Sequence, residues 1–310
     1  MSDMVRDPRS RFWEGRWAGA AVVAIVLGVY APTLVFGRVD YDDTWLWADN
    51  SPLRDLSSST LHDVFFELDA AARHPLGGDY APVRDLSVAA DMAIWGDNEH
   101  GPHATQLALF ALSVFGLGAL LIRFGFTRPV AWLGVLAWAI HPMRVEAVAW
   151  LSDRKDVLAG LFVIACGHAW VRYRTSSKPG WLVVGTLATV AGTWCKGPAM
   201  FAPAAFAALD LLLLAPGRRR WIASAVICAA AALAAIPAVL VGRDARIIGT
   251  TDAPSPGRAI SSLGAQGHYV ESLVLARPVS TNYPIQTRGP SGVDLAIDAY
   301  TLLGSLALVW

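Results

Sequence analysis

Long apolar runs separated by short polar connections are the main pattern along the chain. A helix needs about 20 predominantly apolar residues to cross the hydrocarbon core of a bilayer, so each long run predicts a membrane-spanning helix. Shorter runs qualify when the polar residues that flank them lie at the membrane interface. The pattern therefore predicts an all-α polytopic membrane protein with about eight spans. The clear candidates are residues 17–36, 104–122, 157–171 and 221–241, the shorter ones are 129–140, 181–194 and 198–214, and the last is 293–310.

The composition supports this interpretation. The chain has 310 residues, of which 55% are hydrophobic and 16% charged, and its mean hydropathy is +0.43. These values are too apolar for an ordinary soluble domain. The formal net charge is zero, so overall charge points to no particular partner, and no nucleic-acid partner is expected.

Local motifs exclude several common chemistries. Cys166, Cys195 and Cys228 lie in or beside apolar runs and are expected to pack as small apolar residues. The HExxH, CxxC, P-loop and GxGxxG patterns are absent from the sequence. The common zinc, redox and nucleotide signatures are therefore missing, and no metal ligand is predicted.

Basic residues in the short connections predict the orientation in the membrane. If the spans alternate, all of the basic clusters fall on one side, which is the cytoplasm by the positive-inside rule. We expect a multi-pass protein of the cell (inner) membrane with a cytoplasmic N-terminus. The first span should be retained, because it lacks a small-residue cleavage site. The basic clusters lie within 6–16, 123–128, 172–178 and 218–220, and the opposite face receives a first external loop, residues 38–103, and a last external loop, residues 242–292.

One stretch of the first external loop predicts an amphipathic helix. Within residues 59–69, Leu61, Val64, Phe65 and Leu68 occupy positions i, i+3, i+4 and i+7. This spacing puts the four apolar side chains on one helix face. Such a helix is suited to lying in the plane of the membrane interface.

Three carboxylates follow the first span directly. The stretch "GRVDYDDTWLWADN", residues 37–50, contains Asp40, Asp42 and Asp43. A carboxylate at the mouth of a span costs free energy if it faces lipid, so it should face water, a cation or a protein cavity. The alternative is that these residues are solvated parts of a long acidic loop.

Two further segments are expected to bring charges to the same face. In the elbow "HPMRVEAVAWLSDRKD", residues 141–156, a helix would place Glu146, Trp150 and Asp153 on one side. The stretch "TWCKGPAM" places Lys196 between two apolar runs. Together the segments suit a site for an anionic, membrane-borne substrate, whereas interface anchoring and snorkelling are the alternative explanations of the cations. The charged and titratable residues of the elbow are His141, Arg144, Glu146, Asp153, Arg154, Lys155 and Asp156.

The elbow also resembles a family signature. "HPMRVEAVAWLSDRKDVLAGLF" is similar to the elbow of the bacterial relatives of the transmembrane and tetratricopeptide-repeat O-mannosyltransferases (TMTC-like proteins), which are membrane glycosyltransferases of the GT-C type. The segments "VDYDDTWLW", "DYAPVRDLSVAADMAIWGDNEHGPH" and "TWCKGPAMFAPAAFAALDLLL" resemble the family as well, and "HYVESLVLARPVSTNYP" does so loosely. Together they cover most of residues 38–285. The resemblance implies a GT-C-like transmembrane helix bundle with external amphipathic helices.

The resemblance also implies a reaction. GT-C enzymes take a sugar from a polyprenyl-phosphate carrier and use an Asp of the first external loop. By this resemblance, Asp42 or Asp43 accepts the proton of an acceptor hydroxyl as that hydroxyl attacks the anomeric carbon, with inversion. Lys196 and the adjacent Arg154 and Lys155 would stabilise the developing lipid phosphate.

The remaining roles follow from the same resemblance. Glu146 is the third expected catalytic residue and would orient the acceptor or one of the cations. The expected partners are membrane lipid, a lipid-linked donor of mannose or a similar hexose, and a protein Ser/Thr or glycan acceptor, and a divalent-metal requirement stays open. The residues expected to bind substrate are Tyr80, Arg84, His141, Arg144, Asp153, Arg154, Lys155, Asp156 and Lys196.

The chain departs from the family pattern at three positions. "YAPVRDL" displaces the arginine of the family's Tyr-Arg-Pro-Leu block to Arg84, Gly197 is inserted in the Lys-Pro turn, and Glu271 stands where an arginine would fit. Family members continue into more spans and a repeat domain, so we expect residues 1–310 to be the N-terminal part of a single GT-C-like domain without the repeats. A non-catalytic membrane scaffold and a transporter are the alternative functions, although a transporter often shows an internal repeat that this sequence lacks.

Overall fold

The structure is a computed structural model that describes residues 17–39, 42–47 and 51–245. Within these residues the chain forms helices and turns and no β-strand. Residues 141–144 belong to a second compact unit of the chain. The α-helices are α1 (Ala18–Tyr30), α2 (Asp43–Leu46), α3 (Ser58–Phe66), α4 (Pro82–Trp95), α5 (His100–Arg123), α6 (Arg128–Ala139), α7 (Val145–Ala149), α8 (Arg154–Ser176), α9 (Pro179–Thr193), α10 (Ala202–Leu213) and α11 (Arg218–Asp244). Short 3₁₀ turns cover Ala31–Val35, Pro52–Arg54, His74–Leu76, Pro142–Arg144, Leu151–Asp153 and Gly197–Phe201.

The predicted apolar runs lie on these helices, except for 293–310, which lies outside the described residues. Within the described ranges, three stretches are long and apolar enough to cross a membrane: Ala18–Val35, α5 and α11, with mean hydropathies of 2.1, 2.0 and 2.5. α9 and the stretch Gly197–Leu213 are apolar but shorter. For the described residues, an all-α fold with helices of membrane-spanning length and composition is therefore confirmed, whereas the number of eight spans stays a prediction.

Two apolar clusters hold the long helices together. α1, α5 and α6 pack around Trp132, and the hydroxyl of Tyr30 donates to the carbonyl oxygen of Ala139 at 2.9 Å. The end of α5 and helices α8 to α11 pack around Trp170. Gly118 of α5 lies against the Trp132 ring so closely that a Cβ atom there would overlap it. Small residues at such contacts let membrane helices approach each other.

The first external loop forms its own small core instead of a loose connection. Apolar side chains from α2, α3, α4 and the two intervening 3₁₀ turns pack together, and Leu151 of the elbow joins them. This core fixes the loop carboxylates relative to the elbow. Its fully or largely buried members are Leu46, Trp47, Leu53, Val64, Leu76, Val88, Ala89, Met92 and Leu151.

The predicted amphipathic helix exists but is shorter than expected. The Ser57 hydroxyl accepts the backbone N–H of Thr60 at 3.2 Å, which is the usual way to begin a helix. The helix then ends at Phe66, because Glu67 has extended backbone angles. Val64 faces the small external core, whereas Phe66 is 71% exposed. Binding of this helix to the membrane interface stays a prediction.

The elbow is not one helix, so the predicted shared face of Glu146, Trp150 and Asp153 is wrong. α7 ends at Ala149, Trp150 is extended, and a 3₁₀ turn then leads into α8. The break turns Leu151 into the external core. It also directs the backbone N–H of Ser152 towards the Asp43 carboxylate of the first external loop.

Candidate functional site

Asp43 is a buried, fully engaged carboxylate at the start of α2. Its side chain is about 1% exposed. One oxygen accepts the backbone N–H of Val39 at 2.9 Å, and the other accepts the N–H and hydroxyl of Ser152 at 2.9 and 2.5 Å. Since both oxygens are used inside the protein, Asp43 ties the first external loop to the elbow.

Asp42 has the opposite environment. It is exposed and lines a cavity of about 70 Å³ together with Arg84, Ser152, Lys155 and Asp79. The structure thus separates two adjacent acids that spacing alone could not distinguish. Asp42 is the member of the pair that a molecule in the cavity can reach.

Two lysines stand at the same end of the helices, and each pairs with a carboxylate. Lys155 Nζ lies 3.1 Å from Asp79 Oδ2, and Lys196 Nζ lies 2.5 Å from Asp156 Oδ1. The lysine side chains are 23% and 38% exposed, so both ammonium groups are accessible to an anion. Paired but solvent-accessible cations can exchange partners at low cost.

A second cavity, of about 270 Å³, adjoins these lysines. Lys155 and Lys196 line it, as does Asp79. Apolar atoms of α11 form another part of its wall, including Ala238 and Val241. The cavity therefore combines two ammonium groups with a membrane-type helix, a combination that suits an anionic head group on an apolar tail.

Tyr80 and Arg84 support the walls of the two cavities. The Tyr80 hydroxyl donates to the Phe65 carbonyl oxygen at 3.0 Å, and burial raises the pKa of that hydroxyl. The Arg84 guanidinium pairs with Asp85 at 2.7 Å and donates to the Leu76 carbonyl oxygen at 2.6 Å. Arg84 is about 3% exposed, so its position is fixed by protein contacts, although it lines the smaller cavity.

Arg154 is fully buried and lines neither of these two cavities. Its guanidinium donates to Asp91 Oδ2 at 2.7 Å, to Gln106 Oε1 at 2.5 Å and to the Pro102 carbonyl oxygen at 2.9 Å. A further bond reaches Ser87 Oγ at 3.2 Å. These contacts join α8 to α4 and α5, so the geometry gives Arg154 a structural role, while its predicted binding of substrate stays a prediction.

Asp153 is a buried carboxyl just before α8. It is 8% exposed, and burial raises its pKa to about 6, with a further increase from Asp156 and Glu146, while Lys196 and Lys155 oppose the increase. Glu146 itself is exposed. Perturbed carboxyls of this kind concentrate at functional sites.

The first turn of the elbow contains two of the residues predicted to bind substrate, His141 and Arg144. The backbone N–H of Met143 donates to His141 Nδ1 at 3.2 Å, which stabilises the 3₁₀ turn Pro142–Arg144. The binding roles of His141 and Arg144 stay predictions. In the described part of the chain, no group of three or more His, Cys, Asp or Glu side chains is arranged to hold a metal ion.

Several residues of the site escaped the sequence analysis. Ser152 anchors Asp43, Asp79 pairs with Lys155, and Asp91 and Gln106 hold Arg154. Ser152 and Asp79 lie within segments that the sequence singled out, next to Asp153 and Tyr80. Their partners are far away in the chain, so only the fold could show their importance.

Two comparisons of the sequence with known proteins found matches. The family model described as dolichyl-phosphate-mannose-protein mannosyltransferase matches residues 74–241. The match includes the elbow and both lysines and begins after the Asp pair. The mouse protein O-mannosyl-transferase TMTC1 is 30% identical over 173 residues, which are 53% of this chain and 17% of that protein. The human protein of the same name is 28% identical over 173 residues, 53% of this chain and 19% of that protein.

The chain thus spans about a fifth of the length of these two relatives. No solved structure matches the chain. The family model covers more than half of the chain, and the relatives agree with the TMTC-like resemblance that the sequence motifs predict. The chain therefore belongs to the dolichyl-phosphate-mannose-protein mannosyltransferase family.

Proposed function

We propose that the chain transfers mannose, or a similar hexose, from a polyprenyl-phosphate carrier to an acceptor hydroxyl at the external face of the membrane. The observation that carries this proposal is the placement of the accessible Asp42 in a small cavity that shares Lys155 and Asp79 with a larger, lysine-lined cavity. A base and two phosphate-binding cations are the groups that this reaction needs. Family membership supports the same chemistry.

In the proposed reaction, Asp42 accepts the proton of the acceptor hydroxyl. The hydroxyl oxygen forms a bond to the anomeric carbon, while the bond between that carbon and the phosphate oxygen breaks. The electron pair leaves with the lipid phosphate, whose charge Lys155 and Lys196 stabilise. Attack from the face opposite the leaving phosphate inverts the anomeric configuration.

The larger cavity is the proposed place of the donor phosphate. Lys155 and Lys196 face it from α8 and from the turn before α10. α11 is one of the three stretches that are apolar and long enough to cross a membrane, and it contributes Ala238 and Val241 to the cavity wall. A polyprenyl chain could follow this helix into the bilayer while its phosphate stays with the lysines.

The acceptor and the orientation are further parts of the proposal. The mouse and human relatives are protein O-mannosyl-transferases by name, so a protein Ser or Thr hydroxyl is the proposed acceptor. The basic connections favour a cytoplasmic N-terminus in the cell (inner) membrane, which puts the site on the external face. Asp43 holds the loop in place, and Glu146 and Asp153 complete the acidic side of the site.

The experiment uses the full chain, purified in lipid nanodiscs, with a radiolabelled mannosyl polyprenyl phosphate and a peptide rich in Ser and Thr. We expect label to move to the peptide, polyprenyl phosphate to be released, and the new linkage to have the anomeric configuration opposite to that of the donor. A nucleotide-linked mannose serves as the control donor and should give no transfer. If label reaches neither the peptide nor a glycan acceptor supplied in a parallel reaction, the alternative of a non-catalytic scaffold is favoured.

A further inference from the structure

One ion pair forms part of the boundary of both cavities. Lys155 and Asp79 line the smaller cavity next to Asp42 and also line the larger cavity next to Lys196. Their charged atoms, Lys155 Nζ and Asp79 Oδ2, are 3.1 Å apart. We call this pair the Lys155–Asp79 gate, because both residues line the cavity of the proposed base and the cavity of the proposed phosphate site.

The sizes of the cavities show why this boundary matters. The smaller cavity holds about 70 Å³, which is room for a few water molecules. Pockets for organic ligands are typically about 300–1,000 Å³, and even the larger cavity, of about 270 Å³, is just below that range. A glycosyl phosphate that reaches from Lys196 to Asp42 therefore needs both spaces, and the gate lies between them.

The Asp79 side chain can rotate while its backbone stays in place, and Lys155 lies in the first turn of α8. The Asp79 carbonyl oxygen accepts the Nε–H of buried Arg73 at 3.0 Å, and the Gly78 N–H donates to the Arg73 carbonyl oxygen at 3.0 Å. The Asp79 side chain is 50% exposed, and its second cation, Arg84, lies 3.8 Å away and is already paired with its own carboxylate. The Asp79 carboxylate can thus rotate away from Lys155 without leaving a buried charge unpaired.

We propose that Asp79 is a positioning residue that holds Lys155 in the resting enzyme and releases it to the donor phosphate. This release joins the two cavities. The phosphate and the Asp79 carboxylate then compete for the same ammonium group. The inference rests on the proposed function, since it identifies the event that admits the donor sugar to Asp42. It also explains why the proposed phosphate ligand lies beside a carboxylate that would repel phosphate.

The test measures binding of a fluorescent polyprenyl phosphate to the full chain in nanodiscs. Asp79→Asn removes the competing charge and its repulsion of phosphate, so Kd should fall about two- to five-fold, the range expected for a partly exposed ion pair. Asp79→Glu keeps the charge and should retain the Kd of the wild type. Asp97→Asn is the matched control, because Asp97 pairs with Arg54 at the same 3.1 Å and lines neither cavity.

A second variant shows whether the effect acts through Lys155. Lys155→Met should raise Kd about ten-fold or more, as expected for loss of a charged hydrogen bond to phosphate. Asp79→Asn should then have no further effect in the Lys155→Met background. A merely structural role for Asp79 predicts the opposite sign, weaker binding in Asp79→Asn together with a lower melting temperature.

The outcomes separate the gate from the proposed function. If the wild type binds the probe and transfers sugar, but Asp79→Asn leaves Kd unchanged or raises it, the gate is wrong and the proposed function stands. If the wild type neither binds the probe nor transfers sugar, the proposed function fails and the gate fails with it. A lower Kd in Asp79→Asn that depends on Lys155 supports both.

Discussion

Replacing Asp43 by asparagine should destabilise the protein, whereas the same change at Asp42 should not. Asp43 accepts the Val39 N–H through one oxygen and two donors of Ser152 through the other. An asparagine that keeps the Ser152 bonds must turn its own NH₂ group towards the Val39 N–H. The asparagine NH₂ group and the Val39 N–H, which are both donors, then face each other at a partly buried position.

The expected magnitude follows from these three bonds. A donor left without an acceptor costs about 1–3 kcal/mol, and bonds to a neutral acceptor are weaker than bonds to a carboxylate by roughly 1 kcal/mol each. Because the Val39 bond is only partly buried, we expect a loss of about 2–3 kcal/mol in the free energy of unfolding for Asp43→Asn. Asp42→Asn, at an exposed position, should stay within about 0.5 kcal/mol of the wild type.

The chain contains its own reporters for this measurement. Cys166 and Cys195 are buried, so a thiol-reactive dye labels them as the helix bundle opens during a thermal ramp in nanodiscs. Asp43→Asn should label at a lower temperature than Asp42→Asn. Ser152→Ala should show a coupling of about 1 kcal/mol or more with Asp43→Asn in a double-mutant cycle. Equal stability of the two Asp variants, or zero coupling with Ser152, would refute the anchoring role of Asp43.

Three further predictions concern the network around the site and its orientation. Arg154→Met leaves Asp91 as a buried, unpaired charge and should destabilise by about 3–5 kcal/mol, so little folded protein should survive size-exclusion chromatography, while adding Asp91→Asn should restore part of the yield. Asp153 has a pKa raised to about 6 in the folded protein, so ionising it costs folding free energy, and the wild type should lose stability relative to Asp153→Asn as the pH rises from about 4 to about 6. The difference should be absent at about pH 4 and reach roughly 1–3 kcal/mol above about pH 7, and a constant difference across this range would contradict the buried, ionising carboxyl. Single cysteines introduced in cells should react with an impermeant thiol reagent at Ser58 and not at Ser176, and the reverse result would overturn the proposed orientation.

The sequence predicts the helices well because a long apolar run is by itself evidence for a helix in an apolar environment. The runs at 104–122 and 221–241 appear as α5 and α11, each extended by a few polar residues at its ends. Those extensions are visible only in the structure, since polar end residues look the same whether they continue a helix or begin a loop. The same limit explains why the helix predicted at 59–69 ends earlier, at Phe66.

The elbow shows where periodicity fails. A helical spacing of Glu146, Trp150 and Asp153 is present in the sequence, but the backbone changes direction at Trp150. The turn lets Leu151 enter the external core and Ser152 meet Asp43. Both partners are distant in the chain, so local spacing carries no information about them.

The charged residues show the same contrast. Arg154 and Lys155 look equivalent in the sequence, yet Arg154 is buried among Asp91 and Gln106, whereas Lys155 reaches both cavities. Their different environments come from the direction of each side chain on the first turn of α8. Similarly, adjacent acids point to different places at the start of α2, and only the three donors around Asp43 distinguish it from Asp42.

The most direct test separates chemistry from donor binding in two variants. Single-turnover transfer from a mannosyl polyprenyl phosphate and the Kd of that donor are measured for Asp42→Asn and Lys196→Met, with Asp55→Asn as an exposed control in the same external loop. We expect Asp42→Asn to keep the Kd of the wild type and to slow transfer by about 100- to 10,000-fold. Lys196→Met should raise Kd by roughly ten-fold or more with a smaller loss of turnover. Near wild-type transfer in Asp42→Asn would contradict the assignment of Asp42 as the base.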